Sequence, residues 1–572
     1  LNPDFVSILL VTIVWMAMLV LINPIGNFPL NDDWAYGWTV KMLLETGEYQ
    51  LSDWTATNLL SQVVWGAIFC LPFGFSFTVL RVSTLVLGLL GVLASYGLLR
   101  ELTGNFQLAL LGASVIALNP VYFSSSNSFN SDVPSFSFAI LSLYFIVRGL
   151  RLNSNLEVLA GILISFIAIL NRQSSIVITA SFGLAYLAKK GLKIKNFTVA
   201  FLPTITGLLL QAGYSHWLNS VNETPALYGF QIKNLLETFS KGLVTVALTY
   251  LENAIIILVY LGLFLFPFLI VCLADRFKSL SFRNRRLDLL VILLFLASGT
   301  VLVLQGRQMP FVGNTLETFG VGPEAFDGYS SSLNAGGEAI WNRTWELLTL
   351  IGFIGAAVII LYLIPAFLDL TTRWKEDTSD QGWLPILAIS AAFIYFVVIG
   401  GLDKQYWFDR YLLFLMPILM MLIIVLSKDS LGEKLPSGMA FTASALLLVY
   451  GSFTVAATHD YLLWNRVRWQ ALNSLIEDSK VLPEQIYGGF EFNGWHFANR
   501  LETCEPQQSN IDRRVKVDWS SFTCLWGENT GRFKYLYKLR FITESGWMVK
   551  QQYSFRRWLL GDGTLYVLEQ RK

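Results

Sequence analysis

Apolar runs about as long as a bilayer core is thick recur along almost the whole chain, and that spacing excludes ordinary soluble architectures. A helix needs about 20 such residues to cross the hydrocarbon core. Runs of this kind lie near 5–23, 77–99, 106–124, 133–150, 196–213, 252–275, 288–306, 346–368, 383–400, 408–427 and 436–457. Backbone groups facing lipid must be satisfied within their own segment, so each run reads as a helix. Two shorter segments, near 156–170 and 173–188, flank Asn171-Arg172-Gln173 and read as a re-entering pair. The expected total is about 13 spans. Segment 58–73 is apolar but is cut short by Pro72 and Gly74, which predicts an interfacial helix. Charged residues make up only 14% of the chain, against roughly 25% in a soluble domain. No lysine-rich stripe with interleaved aromatics is present, so nucleic acid is not an expected partner.

Lys and Arg favour the cytoplasmic ends of short loops. With the amino terminus inside, Arg148, Arg151, Lys189, Lys190, Lys193, Lys195 and the basic residues between 276 and 286 all fall in the cytoplasm. The other face receives Asp32, Asp33, Glu45, Glu48, Asp53 and Asp132. The first run lacks a basic flank and a small-residue cleavage site, so it is expected to remain as an anchor. The same topology sends everything after residue 457 outside. The chain thus divides into a transmembrane domain, 1–457, with outer loops 25–76 and 306–343, and an extracytoplasmic domain, 458–572.

The 306–343 loop exceeds ordinary connector length, as lids and binding elements often do. Its glycines at 306, 313, 320, 322, 328, 336 and 337 would allow tight turns. The 214–251 connector is amphipathic and carries no motif. In the tail, 535–541 and 564–568 alternate as strands do, predicting a small mixed α/β domain. Cys504 and Cys524 both lie in this tail, and an oxidising compartment would let them pair. The three histidines, His216, His459 and His496, lack ligand spacing. Only carboxylates remain to hold a divalent cation.

Asp32 and Asp33 follow the first span, and Asp132 opens the fourth. A carboxylate at the membrane boundary is costly unless it is paired or useful. Three on one side, carried by separate spans, would converge on a cleft. Competing readings are a solvated pair at 32–33 and, for Asp132, a helix cap ahead of Val133-Pro134.

The ordered set of motifs resembles the integral-membrane glycosyltransferases that take sugar from a polyprenyl-phosphate carrier, the GT-C type. That type includes the protein O-mannosyltransferases and the bacterial enzymes that add aminoarabinose to lipid A. The likeness runs over roughly 25–430. It rests on Asp32-Asp33-Trp34-Ala35-Tyr36, the stretch from Phe73 to Arg81, Asn130-Ser131-Asp132-Val133-Pro134, Leu170-Asn171-Arg172-Gln173 and Asp409-Arg410-Tyr411. Many relatives have Asp-Glu where this chain has Asp32-Asp33. Lipid A-modifying members have Lys-Pro-Pro near the position of Ala56-Thr57-Asn58.

The resemblance implies an all-α polytopic membrane fold, with the small α/β domain appended. It also implies inverting transfer, in a single displacement, to a lipid, glycan or protein acceptor on the extracytoplasmic face of a bacterial inner membrane. Asp32 would activate the acceptor, with Asp33 as the alternative, and Asp132 would add a second carboxylate near the acceptor or a bound ion. Arg410, then Arg307 and Lys404, would meet the donor phosphate. Arg81 would orient the acidic loops, and Arg172 would join it if the short pair reaches the outer side. Snorkelling at helix ends is the plainer role for these cations. A transporter or flippase of lipid-linked or small polar substrates shares the span count. Such proteins usually carry internal repeats, and none is evident here. A polysaccharide polymerase or ligase and a noncatalytic assembly or sensor protein are the remaining classes.

Overall fold

The computed structural model describes residues 2–221, 224–279, 282–317, 324–325, 331–332, 335–376, 382–427, 435–504, 517, 519–526, 534–559 and 561–571. The expected glycines at 320, 322 and 328 lie outside them. The chain is a mostly helical, polytopic membrane protein with a small C-terminal α/β domain. Ten helices among the described residues are long and apolar enough to cross a membrane, and a bent pair makes eleven. In chain order the helices begin with α1 (Pro3–Ile22), α2 (Asp33–Thr46), α3 (Leu60–Phe73), α4 (Phe77–Leu102), α5 (Phe106–Ala117) and α6 (Pro120–Ser126). Next come α7 (Asp132–Leu152), α8 (Asn155–Asn171), α9 (Ile176–Lys190), α10 (Ile194–Val221), α11 (Phe230–Ser240) and α12 (Leu243–Phe264). The rest are α13 (Phe266–Ser279), α14 (Phe282–Leu304), α15 (Ala335–Glu376), α16 (Trp383–Gly400), α17 (Leu415–Leu426) and α18 (Ser437–Asn473).

The eleven coincide with the eleven long apolar runs, with two changes of detail. The span expected at 252–275 instead runs from Leu243 to Phe264, and residues 266–275 fall in the separate helix α13. The run at 106–124 bends by 61° between α5 and α6. Pro120 disfavours helix at the residue before it, and the Asn119 side chain caps the new start by accepting from the amides of Val121 and Tyr122. Segment 60–73 is a short apolar helix, and Gly74, with φ +77°, takes the left-handed side that ends it.

The short pair α8 and α9 proves decisive for topology. Arg172, after α8, meets Asp132 at the start of α7, while Lys189 and Lys190 of α9 reach Leu150 O and Asn153 at its far end. Both therefore run between the two ends of α7, but at 17 and 15 residues they are shorter than its 21. The helices long and apolar enough to cross thus number ten or eleven among the described residues, not the thirteen expected. Asp4 at the start of α1 pairs with Arg100 near the end of α4 at 2.7 Å, which marks the same far end. The tail consequently emerges at the end that carries Asp32. Outward faces bear exposed aliphatics such as Val20, Leu209, Leu243 and Leu448, surface that lipid solvates. Helices α12 and α15 approach so closely that Gly262, facing Gly352 and Gly355, has no room for a Cβ.

Helix α18 passes unbroken through the expected boundary at 457 and ends at Asn473. Beyond it lies a four-stranded sheet of β1 (Ile486–Tyr487), β2 (Tyr537–Arg540), β3 (Trp547–Arg557) and β4 (Gly561–Gln570), in the order β1-β2-β4-β3. The β1–β2 pairing is parallel and the other two are antiparallel. The rest of the tail shares one hydrophobic core with the first outer loop. Trp34, Trp54, Phe490, Phe497 and Phe522 are buried together. Cys504 and Cys524 are joined by a disulfide within it. Cys70 and Cys272 are buried and form no disulfide.

Candidate active site

Local chemistry brings Asp32 to the end of the bundle. Arg81, wholly buried in α4, donates to the carbonyls of Pro24 (2.6 Å), Gly26 (3.0 Å), Phe28 (2.9 Å) and Asn127 (2.7 Å). Carbonyls concentrate around this buried cation because it has five donors to satisfy. The loop after α1 and the loop before α7 are thereby tied to one side chain. Asn31 then takes a left-handed backbone, φ 53°, which Asn tolerates, and Asp32 occupies the position just before α2 without a side-chain cap bond.

Neither Asp32 nor Asp132 spends its side chain on its own helix start. Both are buried, which rules out the solvated pair and the simple cap. Instead Arg410 lies between them, its Nη2 2.9 Å from Asp32 Oδ2 and its Nε 3.0 Å from Asp132 Oδ2. Arg172 holds the other oxygen of Asp132, and its guanidinium lies over the Tyr411 ring. Trp54 Nε1 donates to Asp32 Oδ1 at 2.9 Å. The result is a buried array of two carboxylates and two guanidiniums, drawn from four separate segments.

A cavity of about 680 Å3 opens on this array, lined by Asp32, Tyr36, Trp54, Asn314, Arg410 and Trp519 among others. A second, water-sized space behind it is bounded by Asp132, Arg172, Tyr395 and Arg410. Asp33 does not line the cavity. It turns toward the Arg81 side, where its Oδ2 accepts from Leu30 N at 3.2 Å. Burial pushes its carboxyl well above the usual range, and the nearby Arg81 charge opposes that only in part.

Of the other expected phosphate ligands, Lys404 borders the cavity but pairs with Glu252 on an exposed surface. Arg307 is exposed, and no ion pair involves it among the described residues. The described part of the long loop does reach the site. Asp409 accepts from the amides of Thr315 (3.2 Å) and Leu316 (2.7 Å), which sets Asn314 beside Arg410. Asn314 Oδ1 then accepts from both Arg410 Nη1 and Asn31 Nδ2, each at 3.0 Å.

No group of three or more metal-ligating side chains occurs among the described residues. Arg410 lies between the carboxylates of Asp32 and Asp132. The contributions of Trp54 and Asn314 were not foreseen. Each lies in a loop whose local pattern carries no sign of what it will touch.

Residues 64–217 match the family model described as dolichyl-phosphate-mannose-protein mannosyltransferase. No curated protein sequence matches the chain. Among solved structures, ArnT from Cupriavidus metallidurans bound to undecaprenyl phosphate aligns with a TM-score of 0.46 at 12% identity, covering 98% of this chain and 97% of that one. The apo state of the same protein gives 0.45 at 13%, with the same coverage.

Proposed function

We propose that the chain is an inverting glycosyltransferase that moves a sugar from a polyprenyl-phosphate carrier to a lipid, glycan or protein acceptor on the extracytoplasmic face of a bacterial inner membrane. The observation that carries this reading is the Asp32–Arg410–Asp132–Arg172 array, of which Asp32, Arg410 and Arg172 line a large cavity at the end of the bundle. The match of residues 64–217 to a family that uses a lipid-phosphate sugar supports it. The far end of α7, with Lys189, Lys190 and Arg151 beside it, is the basic end, which favours the cytoplasm. The cavity then faces outward, where a donor can slide in from the bilayer.

The chemistry follows from what each group can do. Each oxygen of Asp32 retains a lone pair beyond its present bond, so it can accept a proton from an acceptor hydroxyl or amine. The acceptor atom bonds to the anomeric carbon as the carbon–oxygen bond to the lipid phosphate breaks. The bonding pair leaves with the phosphate, and the acceptor's proton passes to Asp32. The departing phosphate needs fixed positive charge rather than a proton. Arg410 and Arg172 supply it from a buried position, where charge acts at greatest strength.

The test is turnover by the purified protein of a polyprenyl-phosphate sugar with envelope lipid, glycan and peptide acceptors. Asp32→Asn is expected to lower turnover by about 10²- to 10⁴-fold in a protein that is still folded by circular dichroism. Full turnover by D32N would show that Asp32 is not the base.

A further inference from the structure

We infer that the C-terminal tail completes this site, with Glu491 acting as a positioning residue for Asp32; the inference rests on the function proposed above. Glu491 lies 460 residues from Asn31, yet its Oε1 accepts from the Asn31 amide at 3.1 Å. That amide belongs to the residue immediately before Asp32. The other carboxylate oxygen accepts from Arg468 Nη2 of α18 at 2.8 Å, and both side chains are buried, with exposures of 2% and 0%. Glu491 thus links the end of the last membrane helix to the backbone that presents the proposed base.

Its sequence neighbour makes a second link. The Phe490 ring packs edge-on against Trp54 at 5.7 Å, and Trp54 donates to Asp32. Close by, Gly494 lies so tightly on Trp34 that no Cβ would fit. The tail therefore fixes Asp32 from two directions, through the preceding peptide and through the indole on its carboxylate. Asn31 has a left-handed backbone, and its amide has found an acceptor from the tail rather than from its own segment. Without that acceptor, the peptide ahead of Asp32 is free to turn, and a displacement of about 1 Å at a reacting group costs about 10²-fold in rate.

Two double variants isolate that contact. Both E491Q/R468M and E491L/R468M remove the buried ion pair, but only glutamine retains an acceptor for the Asn31 amide. The glutamine variant is expected to turn over within about threefold of the unaltered protein. The leucine variant is expected to lose about 10- to 100-fold in kcat with the donor KM unchanged. Hydrogen exchange supplies a readout independent of turnover. The Asn31 amide should exchange faster in E491L/R468M alone, with exchange in α7 unchanged. Equal kcat or equal Asn31 exchange in the two variants would overturn the proposal. So would a rise in exchange throughout the leucine variant, which would make Glu491 a staple of the fold. An unaltered protein that transfers no sugar would sink the proposed function instead, leaving the exchange comparison to judge Glu491.

Discussion

Replacing Arg410 by lysine keeps the positive charge and removes the fork, so it separates charge from geometry at the centre of the site. The guanidinium touches Asp32, Asp132 and Asn314 through three different nitrogens, at 2.9, 3.0 and 3.0 Å. One ammonium on a shorter reach can keep about one of those contacts. Only the contacts to Asp32 and Asn314 are hydrogen bonds, and losing one of them is worth about 1.5–3 kcal/mol. If that loss falls on the transition state, at about 1.4 kcal/mol per decade, R410K should turn over about 10- to 100-fold more slowly. Arg172 binds a single carboxylate, Asp132, so R172K can keep its ion pair and should lose about tenfold or less. The assay is initial-rate turnover of both variants with a polyprenyl-phosphate sugar, alongside thermal unfolding to report folding. The reasoning fails if R410K stays within tenfold of the unaltered protein, or if R172K is the more damaged.

Burial lowers the His496 imidazole to about 4, from an ordinary value of 6.5. The unfolded chain then binds the extra proton first, so this residue should cost up to about 3 kcal/mol as pH falls from 6.5 to 4. H496F should flatten that slope in thermal unfolding, and an unchanged slope would contradict it. For Asp33 the sign is opposite: the folded carboxyl holds its proton more tightly than the unfolded one. Its stabilisation is complete below about pH 4 and is lost as pH rises toward the folded value. The unfolding temperature of D33N relative to the unaltered protein should therefore climb with pH from about 4 upward, and parallel curves would count against the burial of a protonated acid. Removing the Cys504–Cys524 bond, which spans a separation of 20 residues, should destabilise the tail by about 3 kcal/mol in C504A/C524A. Thiol labelling of both cysteines without reductant would show that the bond is absent.

How much of the site was legible depends on how far each contact reaches along the chain. Asp32 and Asp132 stand out locally, as carboxylates at membrane boundaries, and Arg410 stands out beside a span. Their pairing does not, because Arg410 and Asp32 are separated by 378 residues. The two acids at 32 and 33 are neighbours with the same side chain. Only the first turn of α2 decides that Asp32 faces the cavity while Asp33 turns toward Arg81. Arg172 illustrates the same limit. Its segment is shorter than a usual span, and its place at the site became evident only from its contact with Asp132.

The sequence by itself determined the membrane architecture, because the length and apolarity of a span are local properties that a bilayer reads directly. It also carried the gathering of basic residues at one end of the helices, and the strand character of the tail. The tertiary structure decided which polar groups meet. Buried charges must find partners wherever the packing brings them, and neither composition nor periodicity encodes that distance. The joining of Glu491 to Asn31 was decided in the same way, since the tail and the first loop bury their aromatic residues in one shared core.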